Sequence, residues 1–289
     1  VHAAEERALN QNLIQRVASA LVLLPVVVWA IAQGGWWLYA FVLFAGAVCF
    51  WEYGGVTGQK DPMARPLAMV IGVTAQATAM LVPTAASALV VVELACVLIA
   101  VIYTLNVGDI RTVWSRMSVT AFGVPYIAFS FAAIFHLRTM GDALPERTSP
   151  LVWVWLPLVV SWSNDTCAYF AGRAFGKTKL YPLVSPKKTW EGFVGGALGT
   201  VVIPLAMLKV LGPWLTDVTA VDILFIAIPA AFLAPLGDLA ESLLKRSFDT
   251  KDSGSIIPGH GGLLDRVDAV FFVAPWALFY VEVLRPLVQ

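Results

Sequence analysis

Residues 242–268, SLLKRSFDTKDSGSIIPGHGGLLDRVD, set Asp249, Asp252, Asp265 and Asp268, five basic residues counting His260, and five Gly or Pro between two apolar runs. Those runs, near 220–237 and 268–286, are each long enough to cross the roughly 30 Å hydrocarbon core of a bilayer, which takes about 17 to 25 helical residues. Charge this dense beside membrane helices is unfavourable unless a charged ligand or a metal ion compensates it. The stretch therefore reads as an active site at a membrane surface.

The rest of the chain supports that setting. Hydrophobic residues make up 59% and charged residues 13%, against roughly 25% charged in an ordinary soluble domain. Mean hydropathy is +0.78. Further apolar runs lie near 17–33, 35–53, 67–83, 86–105, 117–137, 151–171 and 192–212. The expected fold is an all-α polytopic membrane protein with about nine transmembrane helices. Residues 1–110 read as N-terminal transmembrane hairpins. Residues 111–289 read as a C-terminal transmembrane catalytic region with cytoplasmic loops 172–191 and 238–267. No signal peptide is expected, because the first apolar run leads directly into a second.

Lys and Arg are retained on the cytoplasmic side of a membrane, so loop charge sets orientation. With the N-terminus cytoplasmic, only Arg138, Arg147, Lys209 and Arg285 of the 19 Lys and Arg fall on the far side. The C-terminus is then outside, and both charge-rich loops face the cytosol. Net charge is zero, which argues against a nucleic-acid partner. Cys49, Cys96 and Cys167 lie singly in apolar runs and suggest neither a disulfide framework nor a zinc site. His2, His136 and His260 are equally scattered.

Spacing in the last charged loop implies geometry. Segment 238–248, DLAESLLKRSF, has helical composition, and at about 100° per residue Asp238, Glu241, Ser242 and Lys245 share one third of the circumference. Glu241 and Lys245 alone could be a generic i,i+4 pair. Lys251 and Asp252 follow, then PGHGG, whose glycines allow a tight turn and close backbone approach to a ligand. Asp265 and Asp268 share a face at the start of the last span, with Arg266 between them. Asp238, Asp265 and Asp268 converge if the last two spans pack together. Hard oxygen ligands of this kind point to Mg²⁺ or Mn²⁺ rather than zinc.

The earlier loop complements it. Segment 164–192, NDTCAYFAGRAFGKTKLYPLVSPKKTWEG, begins with Asp165 still inside a span, a position that is functional by default. Gly172, Arg173, Gly176, Lys177, Ser185, Lys187, Lys188 and Thr189 supply flexible backbone and cationic donors, a mixture that grips phosphates. AGRAFGKT (171–178) fits a relaxed P-loop pattern, but a P-loop needs a preceding strand and a following helix. Here a transmembrane helix precedes it, so the match is read as chance.

The run from Ser242 through Lys245-Arg246, Lys251-Asp252, Pro258 and His260-Gly261-Gly262 to Asp265-Arg266 and Asp268 resembles the signature of the phosphatidate cytidylyltransferases. Asp165, Ala168-Tyr169, Gly172-Arg173, Gly176 and SPKKTWEG (185–192) resemble that family's second block. Glu52 resembles an acidic position common in the family. The resemblance implies CTP plus phosphatidic acid giving CDP-diacylglycerol and pyrophosphate, with a divalent metal, in a multi-spanning fold that is often a homodimer.

The residues suit that reaction. A lipid phosphate is already largely ionised near neutral pH, so the attacking group needs no protein nucleophile. The protein must bring two polyanions together and stabilise the leaving pyrophosphate, which calls for metal ions and Lys/Arg clamps. Asp238 and Asp265 are assigned to Mg²⁺, with Mn²⁺ as its substitute and Asp268 as ligand or support. Lys187, Lys188, Lys245, Arg246, Lys251 and Arg266 divide the phosphates, and Asp165 holds a second cation or a basic residue. Ser185, Thr189, Glu191, Ser242, Asp252, His260, Gly261 and Gly262 complete the expected substrate-binding set. Two other classes fit less well. A CTP-dependent lipid-alcohol kinase would release CDP instead of pyrophosphate. A cation-coupled transporter would use Asp165 and Glu93 as an intramembrane path.

Overall fold

The computed structural model describes residue 19 and residues 21–58, 61–143, 151–212, 218–257 and 261–288. His260 and Pro258 lie outside the described residues, as do Arg7, Arg16, Lys60 and Arg147. In chain order the helices are α1 (Leu21–Gln33), α2 (Gly35–Thr57), α3 (Ala64–Leu81), α4 (Ala85–Leu105), α5 (Val113–Met140) and α6 (Val152–Phe175). A short antiparallel hairpin, β1 (Lys179–Tyr181) and β2 (Ser185–Thr189), precedes α7 (Trp190–Leu211), α8 (Ala220–Ser247) and α9 (Leu264–Leu287).

Among the described residues, seven helices, α2 to α5 and α7 to α9, are long and apolar enough to cross a membrane by length and composition. The other two expected spans differ. α1 is apolar but shorter, and α6 carries Ser161, Ser163, Asn164, Asp165 and Arg173 along its 24 residues. The outward faces are apolar, as on α4, where Leu94 is 62% exposed beside Leu98 and Val101. Such faces suit lipid and not water. The chain is an integral membrane protein.

Two packing features position the site. α6 and α7 lie unusually close because Gly192, Gly195, Gly196 and Gly199 of α7 face α6 without side chains. A Cβ on Gly195 would sit 2.2 Å from the Ala171 Cβ, and one on Gly199 would sit 2.3 Å from the Cys167 Sγ. Small residues at such contacts let membrane helices approach and gain dispersion contact. α8 meets α9 in the same manner, since a Cβ on Gly237 would lie 2.5 Å from the Asp268 carbonyl oxygen. Asp238 and Asp268 are thereby brought to one level.

Segment 238–248 is helical as expected, and it is the continuation of α8, which runs unbroken to Ser247. Pro229 and Pro235 lie inside α8, and the Phe225 carbonyl that Pro229 frees accepts from the Trp276 indole of α9 at 3.1 Å, as neighbouring membrane helices do for such groups. In the other loop, the hairpin is fixed to α7 from both sides. Thr189 caps α7 by accepting from the Gly192 amide at 3.1 Å, and the Glu191 carboxylate accepts from the Thr178 amide at 3.1 Å.

Candidate active site

A half-open cavity of ≈ 790 Å³ is lined by α6, the hairpin, α7, α8, the loop after α8 and the first turns of α9. Asp165, Lys187, Lys188, Thr189, Asp238, Lys245, Asp252, Asp265, Arg266 and Asp268 all line it. Residues from both charged loops thus share one end of the bundle. Asn164, Tyr169, Arg173 and Glu241 also line it. Arg173 donates to the Tyr169 hydroxyl at 3.0 Å across one helical turn.

Two carboxylates on this wall have contrasting surroundings. Asp238 is half-open to the cavity, pairing with Lys188 Nζ at 2.7 Å and accepting from the Ser242 hydroxyl at 3.3 Å. Asp265 is saturated. Its Oδ1 holds Lys245 Nζ at 2.5 Å, and its Oδ2 accepts from the Ser253 amide at 3.1 Å, the Ser253 hydroxyl at 3.0 Å and the Gly262 amide at 3.0 Å. Lys245 also pairs with Glu241 at 2.7 Å. Lys245 therefore bridges a buried carboxylate of its own helix to the first turn of α9.

Other expected residues have supporting places. Ser242 serves Asp238, and Glu191 holds the hairpin. Gly262 has no room for a side chain, since a Cβ there would lie 2.0 Å from the Ser253 Oγ. Gly261 adopts φ +82° and its carbonyl accepts from the Ile257 amide at 3.0 Å, closing the turn. Arg246 is exposed and donates to the Thr250 carbonyl at 3.2 Å. Lys251 and Ser185 lie outside the cavity lining.

Sequence reasoning missed Glu241, which it treated as half of a helix pair. It also missed what Glu52 does. Glu52 of α2 is 2% exposed and accepts from the Leu263 amide at 3.1 Å and the Leu264 amide at 2.8 Å. The available signal was an acidic residue near the end of an apolar span, which is costly there without partners.

Asp165, Asp238 and Asp268 act on one another as like charges across the cavity, with Lys188 and Arg266 as counter-charges near Asp165. Asp165 and Asp268 make no ion pair with any described residue. This donor set, carboxylate oxygens without sulfur or imidazole, has the chemistry of a hard divalent cation site. Among the described residues, no three His, Cys, Asp or Glu close into a ligand cluster as they stand.

Fold and cavity together define a polytopic α-helical membrane protein whose polar end gathers cations and carboxylates around one chamber. A family model described as the cytidylyltransferase family matches residues 14–284, and the chain belongs to that family. It is 37% identical over 188 residues to the phosphatidate cytidylyltransferase of Bacillus subtilis strain 168, covering 65% of this chain and 66% of the relative. It is 40% identical over 156 residues to the phosphatidate cytidylyltransferase of Staphylococcus saprophyticus, covering 53% of this chain and 54% of that one. The chain thus spans between about half and two thirds of these curated relatives.

Proposed function

We propose that this chain is an integral membrane nucleotidyltransferase that makes CDP-diacylglycerol and pyrophosphate from CTP and phosphatidic acid. The observation that carries the reading is the shared chamber, in which Lys187, Lys188, Lys245 and Arg266 face Asp165, Asp238 and Asp268. Two polyanions repel each other, and the protein must offset that repulsion before a lipid phosphate oxygen can reach the CTP α-phosphorus. Lysine and arginine donors do so at close range and with charge-assisted hydrogen bonds. The new bond forms from the lipid phosphate oxygen to the α-phosphorus, while the bond from that phosphorus to the β-phosphate bridging oxygen breaks and its electron pair leaves with pyrophosphate.

Asp165, Asp238 and Asp268 would hold Mg²⁺ in this reading, with Mn²⁺ as the nearest substitute. A bound divalent ion neutralises phosphate charge and charge developing on the leaving group. Asp265, with both oxygens engaged, keeps Lys245 on the cavity wall. Lys188 releases or shares Asp238 when phosphate enters. The chamber faces the cytosol of a bacterial-type cytoplasmic membrane, where CTP is available, in keeping with the cationic bias of the loops at this end.

The test is pyrophosphate release by detergent-purified protein given CTP, phosphatidic acid and Mg²⁺, with controls omitting each. Release that needs all three, with cytidine label entering the lipid, is expected. CDP release with a lipid alcohol, and none of the above, would replace this reading by a kinase.

A further inference from the structure

Glu52 belongs to α2, some two hundred residues before the loop it touches. It is 2% exposed, and its two oxygens are spent on one task. Oε1 accepts from the Leu263 amide at 3.1 Å, and Oε2 accepts from the Leu264 amide at 2.8 Å and lies 3.4 Å from the Ser253 hydroxyl. These amides are among the first of α9, which have no carbonyl partner within their own helix. No side chain of α9 caps them. A carboxylate there also meets the positive end of the helix dipole.

The fit leaves no slack. A Cβ on Gly254 would lie 2.5 Å from Glu52 Oε1, and one on Gly262 would lie 2.7 Å from Oε2. Ser253 is shared, because its hydroxyl also reaches Asp265 Oδ2 at 3.0 Å. The loop after α8 is thus pinned between a carboxylate of the N-terminal helices and one of the cavity wall. The next residues of α9, Asp265, Arg266 and Asp268, all line the chamber.

We propose that Glu52 is a positioning residue for the site: from outside the chamber it fixes the start of α9 and so sets where Asp265, Arg266 and Asp268 stand. The inference rests on the cytidylyltransferase reading. Glu52 is absent from the cavity lining. Its effect is on the alignment of groups used in the reaction, which weighs on kcat more than on substrate affinity.

The experiment compares Glu52→Gln with Glu282→Gln in the full chain. Glu282 makes an analogous carboxylate tie at the far end of α9, accepting from the Ala85 amide at 3.3 Å, and serves as the control for general loosening. Hydrogen exchange at the Leu263 and Leu264 amides is measured with CDP-diacylglycerol formation. In Glu52→Gln these amides should exchange faster, and kcat should fall about tenfold with KM for CTP little changed. In Glu282→Gln neither should happen. Unchanged kcat in Glu52→Gln, or an equal loss in Glu282→Gln, overturns the proposal. Should Glu52→Gln fail to fold, Ser253→Ala carries the same test, with faster exchange and a loss of about threefold expected and unchanged kcat overturning it. If the wild-type protein forms no CDP-diacylglycerol, the functional reading has failed. Exchange at Leu263 and Leu264 then still decides whether Glu52 holds the loop, and unchanged exchange overturns that too.

Discussion

Two aspartates of α8, one in its first turn and one level with the chamber, have opposite fates. Asp222, in the first turn, is 2% exposed and fully engaged: it takes the Thr219 amide at 2.8 Å, the Thr219 hydroxyl at 2.7 Å, the Tyr280 hydroxyl at 2.7 Å and Arg285 Nε at 3.0 Å. Asp238, about 24 Å further along the axis, is 36% exposed into a chamber and has one lysine and one weak hydroxyl contact. At both levels α8 packs against α9, and both clusters contain carboxylate and cation. Saturation is what separates them. A carboxylate whose acceptor sites are all filled by its own fold ties helices together, whereas one left with capacity is available to a ligand.

The largest expected effect follows directly. Asp238→Ala should remove nearly all transferase activity while the protein still inserts and purifies as the wild type does. Retention of more than about a tenth of the rate, a loss below about 1.4 kcal/mol of transition-state stabilisation, would defeat the assignment of Asp238 to the cation. Next comes its partner. Lys188→Met takes away the ion pair to Asp238 and a phosphate donor together, so KM for CTP should rise about tenfold, consistent with a lost charge-assisted contact. Steady-state kinetics at saturating lipid reads this, and an unchanged KM would remove Lys188 from nucleotide binding.

In the first turn of α8 the expectation reverses. Asp222→Asn leaves Arg285 and Tyr280 with a poorer buried partner, so stability should fall by about 2 to 4 kcal/mol. Thermal unfolding in detergent measures the loss. The turnover of the fraction that remains folded should match the wild type, and a selective drop in turnover would break the distinction between the two aspartates.

Much of this was legible in the sequence, for a physical reason. Apolar runs of membrane length announce helices regardless of what they pack against. Charge clusters in such a chain are costly enough to stand out, and Asp165, Lys188, Asp238 and Asp268, picked out that way, line one chamber. Two kinds of feature stayed hidden. The end of an apolar run is not the end of a helix: DLAESLLKRS reads as helical from its amphipathic period, but not as the unbroken continuation of α8 through Pro235 and Gly237. The hairpin Lys179–Thr189 lacks the alternating pattern that marks a strand, being rich in Lys and Pro. Partnership was the second hidden feature. Asp265 and Asp238 look equivalent on paper, yet one is saturated by Lys245, Ser253 and Gly262, and only the packing of the loop against Glu52 reveals it.

Glu93 supplies the smallest expected effect and the sharpest limit on the comparison. It lies mid-way along α4 in the run VVVELACV, a position that from sequence could be a hydrogen bond between helices or a step on a cation path. The structure places it on neither. Glu93 is exposed on the outer face among Leu89, Val90, Leu94 and Val97, away from the chamber, and makes no hydrogen bond or ion pair with a described residue. If the contrast between Asp222 and Asp238 holds, an unsaturated carboxylate works only where it also faces a space that a ligand can enter with cations at hand, and Glu93 tests that. Glu93→Gln should leave transferase activity within about twofold of wild type, as for a substitution outside the core and the site. A loss as large as that of Asp238→Ala would mean that the outer face of α4 takes part in the chemistry. Availability alone, without the chamber, would then be enough to mark a working carboxylate.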